Sequence, residues 1–158
     1  DETYVKVHGQ WMYLYRAIDS TGQTLDFLLN QTRSTRAAKQ FFRKVLSRPN
    51  ITPPRVINVD NNGCYIGAVR DLKQNGLLPK KCKRRPTRYM NNIIEQDHRF
   101  MKRRIKPGLG FFSYPTAWRT IQGYEVMHMI RKGQMEGIEK GNIKAQNHFI
   151  AGLFGLVA

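Results

Sequence analysis

The sequence predicts a mixed α/β domain in which antiparallel strands come first and a parallel strand is added through a helical crossover. The first 30 residues are rich in β-branched and aromatic side chains and are divided by two turn-forming segments. A segment with a helical apolar stripe follows, and the short apolar run VINVD at 56–60 then lies between two helical segments. This order of strands and helices is the basis of the predicted fold class.

Each element has its own local signal. The predicted strands cover 3–7, 11–18, 24–30 and 56–60, with a possible short strand at 77–82. The predicted helices cover 34–48, about 66–75, about 90–105 and about 114–133. Ser34 or Thr35 caps the first helix, and Pro49 ends it. The segment KRRPTR at 83–88 is predicted to be a basic loop. Asp60 stands at the carboxyl end of the fourth strand, at the sheet edge where ligand sites form.

The charge balance points to a polyanionic partner. The chain has 27 Lys and Arg residues against 11 Asp and Glu residues, a net charge of +16. Such an imbalance makes the compact state repel itself, so a polyanionic partner is expected. Nucleic acid is the first candidate for this partner and an anionic membrane surface the second. The alternative is a basic surface that serves only solubility. Eleven of the cations fall between residues 80 and 106, and this clustering favours phosphate binding.

The two cysteines, Cys64 and Cys82, do not form a CxxC pair, and the histidines are not clustered. Neither a zinc site nor a disulfide framework is therefore indicated, and a reduced, intracellular setting fits. No signal peptide is visible, and the longest apolar stretch, at 149–157, is too short to span a bilayer.

Three acids are candidates for metal ligands: Asp1, Asp60 and Glu95. On a helical wheel Glu95 faces away from the apolar side, together with the cations four and seven residues later, Arg99 and Lys102. Each acid alone is more typical of a turn or a solvated helix. Carboxylates from separate elements, however, are the ligands that hold Mg²⁺ or Mn²⁺ against a phosphate.

Two other groups have structural interpretations. Asp97 lies nearer the apolar side of the helix, at the azimuth of Arg104, which indicates a structural pair. Trp11, Tyr13 and Tyr15 alternate along a strand, which favours packing over base stacking.

The spacing and order of these motifs resemble a known family. Asp60 and Glu95 are separated by 34 residues, and Lys102 follows Glu95 by seven. Together with DETYVKVHGQWMYLYRAID, VINVD, NNIIEQDHRFMKRR and FIAGLFGL, this pattern resembles the DDE transposases and retroviral-type integrases. It is closest to the bacterial insertion-sequence-six group. The resemblance implies an RNase H-like fold, a mixed sheet of about five strands flanked by helices, at 1–135, with a C-terminal tail at 136–158.

The resemblance also implies a site and a reaction. Asp1, Asp60 and Glu95 would bind Mg²⁺ or Mn²⁺ for two-metal DNA cleavage and strand transfer, and Lys102 would contact the DNA end. The partners would be transposon ends and target DNA, bound by a homodimer or larger assembly in the bacterial cytoplasm at the nucleoid. The further residues expected to contact DNA are Arg99, Lys81, Lys83, Arg84, Arg85, Arg88, Arg103 and His98.

Two departures from the family pattern lead to alternatives. Asn61, Asn62 and Gly63 replace a Lys and a Pro-Ala-Tyr-like segment, and the sequence starts at Asp1, without a helix-turn-helix region. Without the helix-turn-helix region, no end-specific recognition is expected. A terminal amino group beside Asp1 would repel Mg²⁺, so weak metal binding and little transposition are also expected. The alternatives are an RNase H-like nuclease without strand transfer and a catalytically silent DNA-binding remnant.

Overall fold

The structure is a computed structural model that describes residues 2–49, 51–86 and 92–156. The strands are β1 Glu2–Val7, β2 Gln10–Ile18, β3 Thr24–Asn30, β4 Val56–Val59 and β5 Lys83–Pro86. The helices are α1 Thr35–Leu46, α2 Gly63–Gln74, α3 Asn92–Ile105, α4 Tyr114–Arg131 and α5 Ile143–Leu153, with a 3-10 turn at Lys106–Gly108. The predicted mixed α/β class is confirmed.

The first three strands form an antiparallel sheet in the order β1-β2-β3, as predicted. A two-residue turn joins β1 to β2, with His8 at φ 48° and Gly9 at φ 76°. Turns with two positive φ angles match the right-handed twist of paired strands. This hairpin sets the register in which Tyr4 lies opposite Tyr13 and Lys6 opposite Trp11.

The last two strands depart from the prediction. In the described residues β4 and β5 form a separate two-stranded parallel sheet, and a single sheet of about five strands is not seen. β5 occupies the segment predicted to be a basic loop, because its backbone pairs with β4 despite the charged side chains. The possible strand at 77–82 is a turn instead, in which the N–H groups of Leu77 and Leu78 bond to the carbonyl of Leu72.

The three-stranded sheet is the middle layer between two cores, since successive side chains of a strand point to opposite faces. On one face, Tyr15 packs with Phe41 of α1 and Leu72 of α2. On the other face, Leu14 packs with Met101 of α3 and Ile121 of α4.

A buried ionic cluster in the second core links β2 to α3 and α4. The guanidinium of Arg16 lies 2.5 Å and 2.8 Å from the carboxylate oxygens of Glu125 and 2.6 Å from Asp97. Asp97 also lies 2.7 Å from His128 of α4 and 2.7 Å from Lys132, the residue that follows α4. Burial alone would raise the pKa of Asp97, but the His128 hydrogen bond and the neighbouring cations hold it well below its ordinary value.

The predicted partner of Asp97 was therefore wrong. Arg104 instead lies with its guanidinium 5.6 Å from the ring centroid of Phe100. The reason is tertiary: α3 turns Asp97 inward, toward Arg16 of β2 and Lys132 after α4, which a helical wheel does not contain.

The segment predicted to be a C-terminal tail contains a helix. Asn142 caps α5 by accepting a hydrogen bond from the N–H of Ala145. The domain boundary near residue 135 stays a prediction. Across 2–49, 51–86 and 92–156, no helix has the length and apolar character needed to cross a membrane.

Candidate active site and nucleic-acid interface

Asp60 follows the last residue of β4, and two neighbours hold its side chain. One carboxylate oxygen accepts the N–H of Asn62 at 3.0 Å, and the other lies 2.5 Å from Nη2 of Arg33. Asn62 in turn caps α2 by accepting the N–H of Cys64. The polar segment that departs from the family pattern thus starts α2 at Gly63, three residues earlier than predicted, and fixes the turn that carries Asp60.

Arg33 links the start of β1 to the end of β4. It lies between β3 and α1, and its guanidinium contacts the carboxylates of both Glu2 and Asp60. Burial would lower the pKa of Arg33, but these two carboxylates raise it above its ordinary value. One side chain therefore brings together the first residue of β1 and the residue after β4.

Tyr65 of α2 completes this arrangement. Its hydroxyl donates a hydrogen bond to Glu2, whose side chain is almost fully buried. Burial first, and then the charge of Glu2, raises the pKa of Tyr65, so the phenol stays protonated and remains a donor.

The roles of Glu2, Arg33 and Tyr65 were not found by sequence reasoning. Position next to Asp1 was the only signal for Glu2, and nothing in the sequence indicates that an arginine between β3 and α1 reaches β4.

Glu95 lies in the first turn of α3 and is exposed, whereas Ile94, Asp97 and His98 beside it are buried. The prediction that Glu95 points away from the apolar side of its helix is confirmed. Of the other two predicted ligands, Asp60 is 30% exposed at its side chain. Asp1 lies outside the described residues, so the triad stays a prediction.

The cations predicted to contact DNA are mostly on the surface. Arg99, Lys102 and Arg103 of α3 are exposed, as are Lys81, Lys83 and Arg85 at β5, and Arg84 is half-buried. Arg88 lies outside the described residues. Each group makes its own segment basic at the surface, and we call the two groups together the α3–β5 basic surface.

His98 does not fit its predicted role. It is only 4% exposed, since it lies on the side of α3 that faces the protein interior. Burial and the charge of Arg16 lower its pKa to about 3, so it is neutral at pH 7. A buried, neutral imidazole is unsuited to hold a DNA phosphate, and we correct this expectation.

The carboxylates of Asp60 and Glu95 are chemically suited to bind a hard divalent cation. Glu95 offers an exposed carboxylate and Asp60 a half-buried one that is paired with Arg33, and carboxylate oxygens are the ligands that Mg²⁺ and Mn²⁺ prefer. They do not form a ready-made site on their own. Within 2–49, 51–86 and 92–156, no three His, Cys, Asp or Glu side chains are grouped as metal ligands.

Comparison with known proteins gives the family. A family model described as a DDE domain matches residues 1–134. Two transposases of Staphylococcus aureus are each 34% identical over 140 residues: that for insertion sequence-like element IS431mec, from strain Mu50, and that for insertion sequence element IS257 in transposon Tn4003. Each alignment covers 88% of this chain and 59% of the relative.

Other comparisons add less. The uncharacterized protein pYV0051 of Yersinia pseudotuberculosis is 37% identical over 84 residues, which is 52% of this chain and 78% of that protein. No solved structure gives a significant match. The chain spans about three fifths of the length of the S. aureus relatives that it matches. With the domain match and the shared identity, the chain belongs to the insertion-sequence-six family of DDE transposases.

Proposed function

We propose that this domain is an RNase H-like catalytic core that cleaves DNA at the ends of a mobile element and joins those ends to target DNA. The observation that carries the proposal is the Arg33 bridge, which draws the start of β1 and the carboxylate after β4 to one place. In a DDE domain this is the edge where the first two acids of the triad are expected.

The same bridge supports the RNase H-like arrangement. β1 and β4 belong to separate sheets, yet Glu2 and Asp60 touch one guanidinium. These two contacts support a β4–β5 pair that lies beside β1, as a continuation of the three-stranded sheet would require.

Asp1, Asp60 and Glu95 would hold the divalent ion, which we propose to be Mg²⁺ or Mn²⁺. Such an ion supplies Lewis acid stabilisation of the attacking and leaving oxygens in phosphodiester chemistry. The chain's own residues bind and orient the DNA: Arg99 and Lys102 follow Glu95 on the exposed side of α3 and are suited to the phosphates that flank the reacting bond.

The test is a DNA-joining assay with Mg²⁺ or Mn²⁺ and labelled element ends, using the transposase that contains this domain. We expect Asp60→Asn and Glu95→Gln to abolish both cleavage and joining. Asp71→Asn is the matched control, since Asp71 is a surface acid of α2 that pairs with Lys39, and it should retain activity. Full activity of either site variant would refute the assignment.

Two other functions are separated by the same assay. A nuclease without strand transfer would give metal-dependent nicks but no joined product. A silent DNA-binding remnant would slow the migration of DNA in a gel without cutting it. The observation that favours the silent remnant is the Asp60 carboxylate, which is already neutralised by Arg33.

We further propose that the domain acts on paired DNA ends as a homodimer or larger assembly. The mass of the complex with and without end DNA, measured by light scattering, tests this, and a monomer bound to a single end would contradict it.

A further inference from the structure

The hairpin of β1 and β2 carries an exposed group of aromatic side chains. Tyr4 is 54% exposed and Trp11 is 62% exposed. The ring centroids of Tyr4 and Trp11 are 6.4 Å apart in an edge-to-face arrangement, and Tyr13 lies 5.3 Å from Tyr4. We call Tyr4, Trp11 and Tyr13 the aromatic platform.

The platform is the uncovered end of a sheet face that is otherwise buried. Tyr15 lies on the same face of β2, is fully buried and packs on Phe41 of α1, at 5.7 Å between ring centroids. Tyr13, the next residue on that face, is half-buried, and Trp11 is mostly exposed. The aromatics were predicted to pack in the core or on the sheet face. Tyr15 packs in the core, whereas Trp11 packs against Tyr4 on the sheet face and stays mostly exposed, because the cover provided by α1 does not extend to the hairpin.

The charge around the platform is positive. The ammonium group of Lys6, which lies opposite Trp11 in the sheet register, is 6.0 Å from the centroid of the Trp11 ring. The acid on this face of β1, Glu2, is paired with Arg33. Exposed aromatic rings beside a cation are the combination that binds single-stranded nucleic acid.

The platform adjoins the candidate active site. Tyr4 is two residues along β1 from Glu2 and lies on the same face of the strand. A DNA strand that leaves Asp60 toward the hairpin would therefore pass over these rings.

We propose that Tyr4 and Trp11 stack against unpaired bases of a DNA strand next to the site, with Lys6 contacting its backbone. The identity of the strand as DNA rests on the proposed function, and the inference deepens it by naming single-stranded DNA as a ligand. Stacked base pairs of a duplex do not offer their faces to such rings, so the platform selects for unpaired bases. The assembly proposed above forms on DNA, which offsets the net charge of +16 on each copy; without DNA, that charge disfavours a second copy as the occupant of the platform.

The experiment measures binding of a fluorescent 15-residue oligothymidylate and of a 15-base-pair duplex, both in EDTA. Without metal, the result does not depend on catalysis, so failure of the proposed function and failure of this inference are distinguishable. We expect Trp11→Ala and Tyr4→Ala each to weaken oligothymidylate binding about tenfold, with duplex binding unchanged. Phe154→Ala is the matched control, because Phe154 is an aromatic residue that is 72% exposed at the end of α5.

A second readout follows the platform directly. Trp11 and Trp118 are the two tryptophans, and Trp118 packs against Phe27. In a Trp118→Phe variant, oligothymidylate should quench the remaining Trp11 emission, and duplex should not.

Three results would overturn the inference. They are unchanged oligothymidylate affinity in both platform variants, an equal loss for duplex, and a self-associating parent protein that Trp11→Ala makes monomeric without altering oligothymidylate affinity. The last result would assign the platform to a protein interface.

Discussion

Replacement of Arg16 is expected to be the most damaging single change in the second core. Its side chain is fully buried and makes three short contacts with Glu125 and Asp97. In Arg16→Met, Asp97 keeps Lys132 and His128, but Glu125 loses its two hydrogen bonds. Removal of one partner from a buried ionic cluster costs about 3 to 5 kcal/mol. This is a large part of the roughly 5 to 15 kcal/mol by which domains are stable.

Urea unfolding followed by circular dichroism measures this loss. Arg119→Met is the control, since Arg119 is exposed on the same helix as Glu125, and its unfolding free energy should change by less than about 0.5 kcal/mol. The double variant Arg16→Met/Glu125→Leu removes both charges and should recover much of the stability. The reasoning is refuted if Arg16→Met costs less than about 1 kcal/mol, or if the double variant is no more stable than the single one.

Two further predictions concern charge at other positions. Asp26 is 2% exposed, and although burial would raise its pKa, hydrogen bonds from Arg48 and Lys44 lower it below the ordinary 3.8. The unfolded chain therefore takes up this proton at a higher pH than the folded one, so the stability from Asp26 is present above about pH 4 and is lost as the pH falls below it. Asp26→Asn should be less stable at pH 7, and unfolding curves from pH 7 to pH 2 should show this deficit shrink; a constant deficit would contradict the assignment. Lys102→Ala should weaken duplex binding evenly across sequences and reduce the slope of log affinity against log salt by about 1, and an unchanged slope would remove Lys102 from the phosphate contacts.

Local patterns in the sequence predicted most of the elements. β1, β2 and β3 alternate clearly, and α1 has both a cap at Ser34 and a proline after its end. β5 was missed because KRRP lacks every side-chain signal of a strand, and its pairing with β4 is a backbone interaction between distant segments.

The buried acids were harder to predict than the exposed ones. Asp26 fits an exposed strand position by pattern, and its burial depends on Lys44 of α1 and on Arg48, which follows that helix. Asp97 likewise depends on Arg16 of β2 and on Lys132, which follows α4. A sequence pattern gives the face of an element on which a residue lies, but not the charges that another element brings to that face.

Glu95 differs from these acids in a way that bears on its role. Asp26, Asp60, Asp71, Asp97 and Glu125 each contact a cation. Glu95 forms no ion pair with any cation among the described residues, although Arg99 stands at the i+4 position that favours one. An exposed pair of this kind would stabilise the helix by less than about 1 kcal/mol, so stability does not explain an acid on the α3–β5 basic surface. A carboxylate left accessible among cations suits a ligand that arrives with the DNA, and this is the role that the proposed function gives to Glu95.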